Sequence, residues 1–190
     1  MVRSRLRDAA PLVAAVALAG TAAPATAGES PFLGIGGGGH QLHFDSDDRD
    51  RVDAGREQEF GGHIRVGTLQ PDWRLYGQWT VIRPSPYFFT QLTVNADLLW
   101  QVAPWLTLYA GGGAGLASLS WNSDNSSDAM AAFSVQAGAL VPVTERLSVE
   151  LDLRQTFTRL RTDPDGPDGD SVDVSLDRIG AAALNFNLRF

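Results

Sequence analysis

The chain has 190 residues, a formal net charge of -7, and 15 basic residues that are all arginine. An acidic balance argues against a nucleic-acid partner, which would require a basic face. The lack of cysteine excludes disulfide staples and thiolate metal sites, and no apolar run is long enough for a helical membrane span.

The first element does not belong to the fold. Arg3, Arg5 and Arg7 form a basic start, PLVAAVALAG (Pro11 to Gly20) an apolar core, and ATA (Ala25 to Ala27) a small-residue cleavage pattern. That order is the secretory pattern. Residues 1–27 are therefore expected to be a cleaved signal peptide, and 28–190 a single domain.

Beyond Ala27 the hydrophobic period is two, the period of strands. In FGGHIRVGT (Phe60 to Thr68), Phe60, Ile64 and Val66 share one face, while His63 and Arg65 share the other. In WRLYGQWTVI (Trp73 to Ile82), Trp73, Leu75, Trp79 and Val81 oppose Arg74, Tyr76, Gln78 and Thr80. The stretch from Phe88 to Val102 sets Leu92, Val94, Ala96, Leu98 and Trp100 against Gln91, Thr93, Asn95, Asp97 and Gln101. LSVELDLRQTF (Leu147 to Phe157) sets Val149, Leu151 and Leu153 against Glu150, Asp152 and Arg154. With the less regular stretches this predicts eight strands, at 31–44, 59–68, 73–82, 87–102, 106–121, 129–141, 146–161 and 172–190. The first and fifth are rich in glycine, which leaves no side chain from which to read a face.

The connections alternate in length. Leu69 to Asp72, Ala103 to Trp105 and Pro142 to Glu145 are short, and each holds a proline. Between them fall four polar connections, Asp45 to Glu57, Arg83 to Pro86, Asn122 to Asp128 and Thr162 to Asp170, three of them long. Short turns at one end and long loops at the other mark a membrane β-barrel, with both termini on the short-turn side.

Charge decides which face meets lipid. His63, Arg65, Arg74, Asp97, Glu150, Asp152 and Arg154, with Asp173 and Asp177, fall on one face. So many charges cannot enter an apolar core unpaired, but they can fill a narrow lumen if opposite signs meet. An eight-stranded barrel has an interior just wide enough for side chains to fill, so a plugged lumen is expected. Arg159 and Arg178 break the parity of the lipid face near the loop end, where arginine can snorkel to the interface. Aromatic residues gather near the segment ends: Phe44, Phe60, Phe88, Trp121 and Phe157 toward the loops, and Trp73, Trp100, Trp105 and Phe190 toward the turns. That pattern fits two interfacial girdles.

The closing peptide LNFNLRF (Leu184 to Phe190) alternates Leu184, Phe186, Leu188 and Phe190 with Asn185, Asn187 and Arg189. It resembles the assembly signal of Gram-negative outer-membrane barrels, which ends in a terminal phenylalanine. WLTLYAGGGAGLA (Trp105 to Ala117) is similar to the glycine-rich strand of small OmpA-like and OmpX-like barrels. The resemblance implies an all-β, eight-stranded antiparallel up-and-down transmembrane barrel, monomeric and located in the outer membrane. It implies outer-membrane lipid, lipopolysaccharide and, during biogenesis, the barrel-assembly machinery as partners.

Within that resemblance the expected role is non-enzymatic: structural, adhesive or lipopolysaccharide-contacting through the loops. The alternatives are a lipid A-modifying enzyme and a narrow channel. Some small barrels modify lipid A with His, Ser and carboxylate groups at the outer rim. Here HQLHFDSDD (His40 to Asp48) supplies candidate groups in His40, His43, Asp45 and Ser46. A histidine there would act as general base toward the serine if a carboxylate oriented it. DPDGPDGDSVD (Asp163 to Asp173) lacks the ligand spacing of a calcium-binding EF-hand loop and reads as a solvated acidic loop. Neither a cofactor nor a metal is expected.

Overall fold

The computed structural model describes residues 30–46, 56–83, 87–121, 127–162 and 174–190. They form eight strands: β1 Ser30–Ser46, β2 Arg56–Leu69, β3 Trp73–Ile82, β4 Tyr87–Ala103, β5 Leu106–Trp121, β6 Ser127–Pro142, β7 Leu147–Thr162 and β8 Val174–Arg189. Each pairs antiparallel with its neighbours in sequence, and β8 returns to β1, closing the barrel. Closure leaves no sheet edge, so strand backbone groups pair within the barrel even where lipid offers no hydrogen bonds.

The strands stand where the period-two alternation places them, differing by up to three residues at either end. The short connections at 70–72, 104–105 and 143–146 are tight. In the first of these turns Gln70 N–H donates to Trp73 O at 2.8 Å, and in the third Val143 N–H donates to Leu147 O at 2.8 Å. Both chain ends of the barrel meet on this side, where Phe190 N–H donates to Pro31 O at 3.0 Å. The expected signal peptide and most of the four polar connections lie outside the described residues.

Paired residues spiral around the barrel. Starting at His43 and passing through Arg178, Phe157, Phe133, Ala114, Val94, Gly77 and Val66, the ladder returns to β1 at Leu33, about ten residues lower. This stagger tilts the strands and fixes the lumen at a width that side chains span.

The outward face is the apolar one. Leu98, Leu151, Leu153, Val94 and Phe133 are all more than half exposed, as suits a wall surrounded by acyl chains. Phe60 and Phe157 stand exposed toward the loop end, and Trp100, Trp105 and Phe190 toward the turn end. The side chains of Phe44 and Trp121 lie outside the described set.

The lumen is layered, which periodicity alone did not predict. Its loop end is filled by an apolar cluster of Leu42, Ile82, Phe89, Ala117, Leu119, Ala132, Leu160, Leu176 and Ile179. Its turn end holds Phe32, Leu99 and Leu140, all buried. The polar groups lie between. The physical reason is strand length: several strands run 16 or 17 residues, more than the 9–11 or so that cross a bilayer. Their outer ends therefore pack inward as a soluble barrel does.

A bulge also corrects one expectation. Register shifts between His43 and Phe44 on β1 and between Phe157 and Leu160 on β7 turn Leu176 inward. Asp177, expected in the lumen, is instead only half-buried within that irregularity and, among the described residues, joins no lumen ion pair. Asp173 lies outside the described residues.

Candidate functional site

Three arginines and three carboxylates meet inside the barrel. β2 supplies Arg65, β3 Arg74, β4 Asp97, and β7 Glu150, Asp152 and Arg154, each at an inward position of its alternation. Formal charge in the group balances. Arg65 donates to Glu150 at 2.6 Å and to Asp152 at 2.7 Å. Arg74 donates from Nε to Asp97 at 2.7 Å and from its two terminal nitrogens to Glu150 at 2.5 and 3.0 Å. Arg154 lies 3.6 Å from Asp152 and donates to Asn95 at 2.9 Å and to Tyr76 at 3.0 Å. Such pairs offset their desolvation only when the remaining lone pairs are also satisfied, and around Glu150 they are. Glu150 further accepts from Tyr109 at 2.7 Å and Asn187 at 3.0 Å.

Two participants were not visible in the alternation. Tyr109 projects from the glycine-rich β5, where no face could be read, and Gln136 donates from β6 to Asp97 at 2.8 Å. The glycines explain the fit. A Cβ on Gly111 would strike the Asp97 carboxylate and the Ala96 carbonyl, and one on Gly138 would strike the Tyr109 hydroxyl. The bare strand positions are the space that the large side chains occupy. The Arg74 guanidinium lies over the Tyr109 ring, 4.2 Å from its centroid, and Tyr76 flanks it at 5.0 Å. Both rings add cation–π attraction in a desolvated setting.

Above this core lies a small cavity bordered by His40, His63, Gln91 and Arg154, among others. His63 contacts Asn185 through Nε2. His40 Nε2, His63 Nδ1, Gln91 Nε2 and Arg154 Nε have no hydrogen-bond partner, the kind of groups that trapped water satisfies in other interiors.

Of the rim candidates, the two histidines do not converge. His40 faces inward and is buried beneath the apolar cap, whereas His43 faces outward on the opposite side of the same strand. Spacing of three residues on a strand forces this, since side chains alternate. Asp45 and Ser46 extend β1, but their side chains lie outside the described set. The acidic stretch Asp163 to Asp173 lies outside the described residues altogether. Among the described residues, no three His, Asp or Glu side chains are grouped to hold a metal.

Known proteins share this architecture. The chain superimposes on Neisserial surface protein A (NspA) with a TM-score of 0.66 at 17% identity, covering 86% of this chain and 99% of that one. Outer membrane protein H (OprH) of P. aeruginosa aligns with a TM-score of 0.55 at 18% identity, covering 85% and 99%. A major outer membrane protein of Thermus thermophilus aligns with a TM-score of 0.51 at 12% identity, covering 85% and 99%. No curated protein matches the chain in sequence. The outer membrane protein beta-barrel domain model matches residues 12–190. The chain therefore belongs to the outer membrane protein beta-barrel domain family and resides in the bacterial outer membrane.

Proposed function

We propose that the protein is a non-enzymatic barrel with a structural, adhesive or lipopolysaccharide-contacting role exercised through its extracellular loops. The observation that carries this is the sealed lumen. The ion-paired middle layer is capped by Leu42, Phe89, Leu119, Leu160 and Leu176 at one end and closed by Phe32, Leu99 and Leu140 at the other. A passage for solutes would need a continuous wet path, and the apolar cap interrupts it. An enzyme would need a histidine at the rim beside a serine and a carboxylate, and His40 is buried in the lumen beneath the apolar cap.

The test is a lipid A mass spectrum from cells with and without the protein, together with planar-bilayer recordings of the purified barrel. Unchanged acylation and no discrete conductance steps are expected. Gain or loss of one acyl chain, abolished by alanine at His40 or His43, would replace this proposal with an enzyme. Stable conductance steps would replace it with a channel.

A further inference from the structure

The lumen holds two histidines that the ion-paired core does not use. His40 and His63 face inward on β1 and β2, where the ladder pairs Gly36 with His63, Gly38 with Gly61 and His40 with Glu59. The bare Gly38–Gly61 row separates the two. Glycine lets each ring lie across the neighbouring strand: a Cβ on Gly61 would come within 2.8 Å of the His40 ring, and one on Gly36 within 2.6 Å of His63 Nε2. Both histidines border one cavity with Gln91 of β4 and Arg154 of β7, and Phe89 and Ile179 line the same space. It offers about 10 Å³ to the centre of an occupant, room for one body the size of water. Each of the four polar side chains is more than nine-tenths buried and keeps one nitrogen without a hydrogen bond.

What such a space accepts depends on protons. Asn185 Oδ1 accepts from His63 Nε2, so Nδ1 of the neutral ring is an acceptor, whereas Gln91 Nε2 and Arg154 Nε only donate. With neutral imidazoles the cavity mixes donors and acceptors, and one water suits it. A protonated ring donates from both nitrogens and carries a positive charge. The space then suits an anion no larger than water. Among the described residues, the charged groups facing the rings are Glu59 and Arg65 of β2 and Asp152 and Arg154 of β7, while β3, β4 and β8 present the neutral Thr80, Gln91 and Asn185. Asp152 is already matched: it accepts from Arg65 and Tyr109 and stands 3.6 Å from Arg154 Nε, beyond a hydrogen bond. Glu59 is half-buried toward the loops and does not border the cavity.

We infer that the cavity is a proton-coupled halide site: one proton from solvent binds His40 or His63, and one chloride enters beside it, held by the N–H groups of Arg154 and Gln91. Proton and anion together add no net charge to a balanced core, which an anion alone would unbalance where water is excluded. The lumen can thus take up acid without breaking its ion pairs. Halide affinity rises by about tenfold for each unit fall in pH, because the two enter together. The site lies inside the barrel and is independent of what the loops bind.

The test refolds the purified barrel in non-ionic detergent with radioactive chloride at about pH 4 and about pH 7.5, on either side of the ordinary histidine range. Free ion is then removed by gel filtration at the same pH. The apolar cap slows exchange, so a bound ion travels with the barrel. About one chloride per barrel is expected in acid, and less than about a tenth of that at the higher pH. In acid, chloride should also raise the thermal midpoint above that in gluconate at equal ionic strength, where screening is matched. Sulfate, too large for the space, should not, and at the higher pH the anion should make no difference. The His40→Gln/His63→Gln double variant should lose both effects. His43→Gln changes the third histidine, which faces outward, and should keep them. Gln91→Met removes a donor at similar volume and should weaken retention. A midpoint shift without retention, still lost in the double variant, would support the site with faster exchange past the cap. Equal retention at both pH values, full retention by the double variant, or an equal effect of sulfate would overturn it. So would no retention with equal midpoints in chloride and gluconate, which leaves the cavity to water. If the double variant fails to close, Gln91→Met against His43→Gln decides the matter.

Discussion

Removing the charge from Glu150 would leave two arginines under-compensated at once. The carboxylate accepts from Arg65, Arg74, Tyr109 and Asn187, side chains of four other strands. It is fully buried, so water cannot replace what is lost. Glu150→Gln should destabilise the barrel by about 3–5 kcal/mol, the cost of breaking a buried ion pair from one side. Tyr109→Phe removes a hydroxyl that donates to a charged acceptor and should cost about 1.5–3 kcal/mol. Urea unfolding in micelles would rank the two, and a Glu150→Gln midpoint equal to wild type would mean the network carries no stability.

The strands show why glycine is placed as it is. On β5, Gly111 faces inward against Asp97 and the β4 backbone, whereas on β1 Gly39 faces outward into open space. Gly111→Val should prevent closure, because the colliding carbonyl of Ala96 belongs to a paired strand and cannot yield. Gly39→Ala should stay within about 0.5 kcal/mol of wild type, as surface changes usually do. Refolding yield read from gel mobility separates them. The last strand carries a different kind of information. Leu184, Phe186 and Leu188 are nearly half exposed and Phe190 more so, all facing lipid. We propose that they are read by the assembly machinery, so deleting Phe190 should reduce the outer-membrane fraction in cells while leaving refolding in detergent intact. Normal membrane levels would remove that role.

At the scale of the whole molecule, closure makes unfolding cooperative, since no strand can leave without opening two ladders. The unboiled protein should therefore run as a compact band in detergent gels and shift on boiling, and identical migration before and after would contradict a closed barrel. The buried pairs are sheltered from ions, so the boiling-dependent transition should move little between low and high salt. A large salt-induced shift would mean that water and ions reach Arg65 and Arg74.

Most of this barrel was legible along the chain, because in a membrane strand every second residue must satisfy lipid and every other one the lumen. That rule located all eight strands and put Arg65, Arg74, Asp97, Glu150, Asp152 and Arg154 on one face. It works only where side chains exist to be read and where the alternation is unbroken. Tyr109 was hidden among glycines, Asp177 was misplaced by a bulge, and the apolar cap arose from strand ends that outrun the bilayer. Which arginine meets which carboxylate depends on the ladder's stagger around the barrel. The sequence by itself determined the period, the faces and the membrane. Only closure in three dimensions decided the partners, because register sets distances between strands that are remote along the chain.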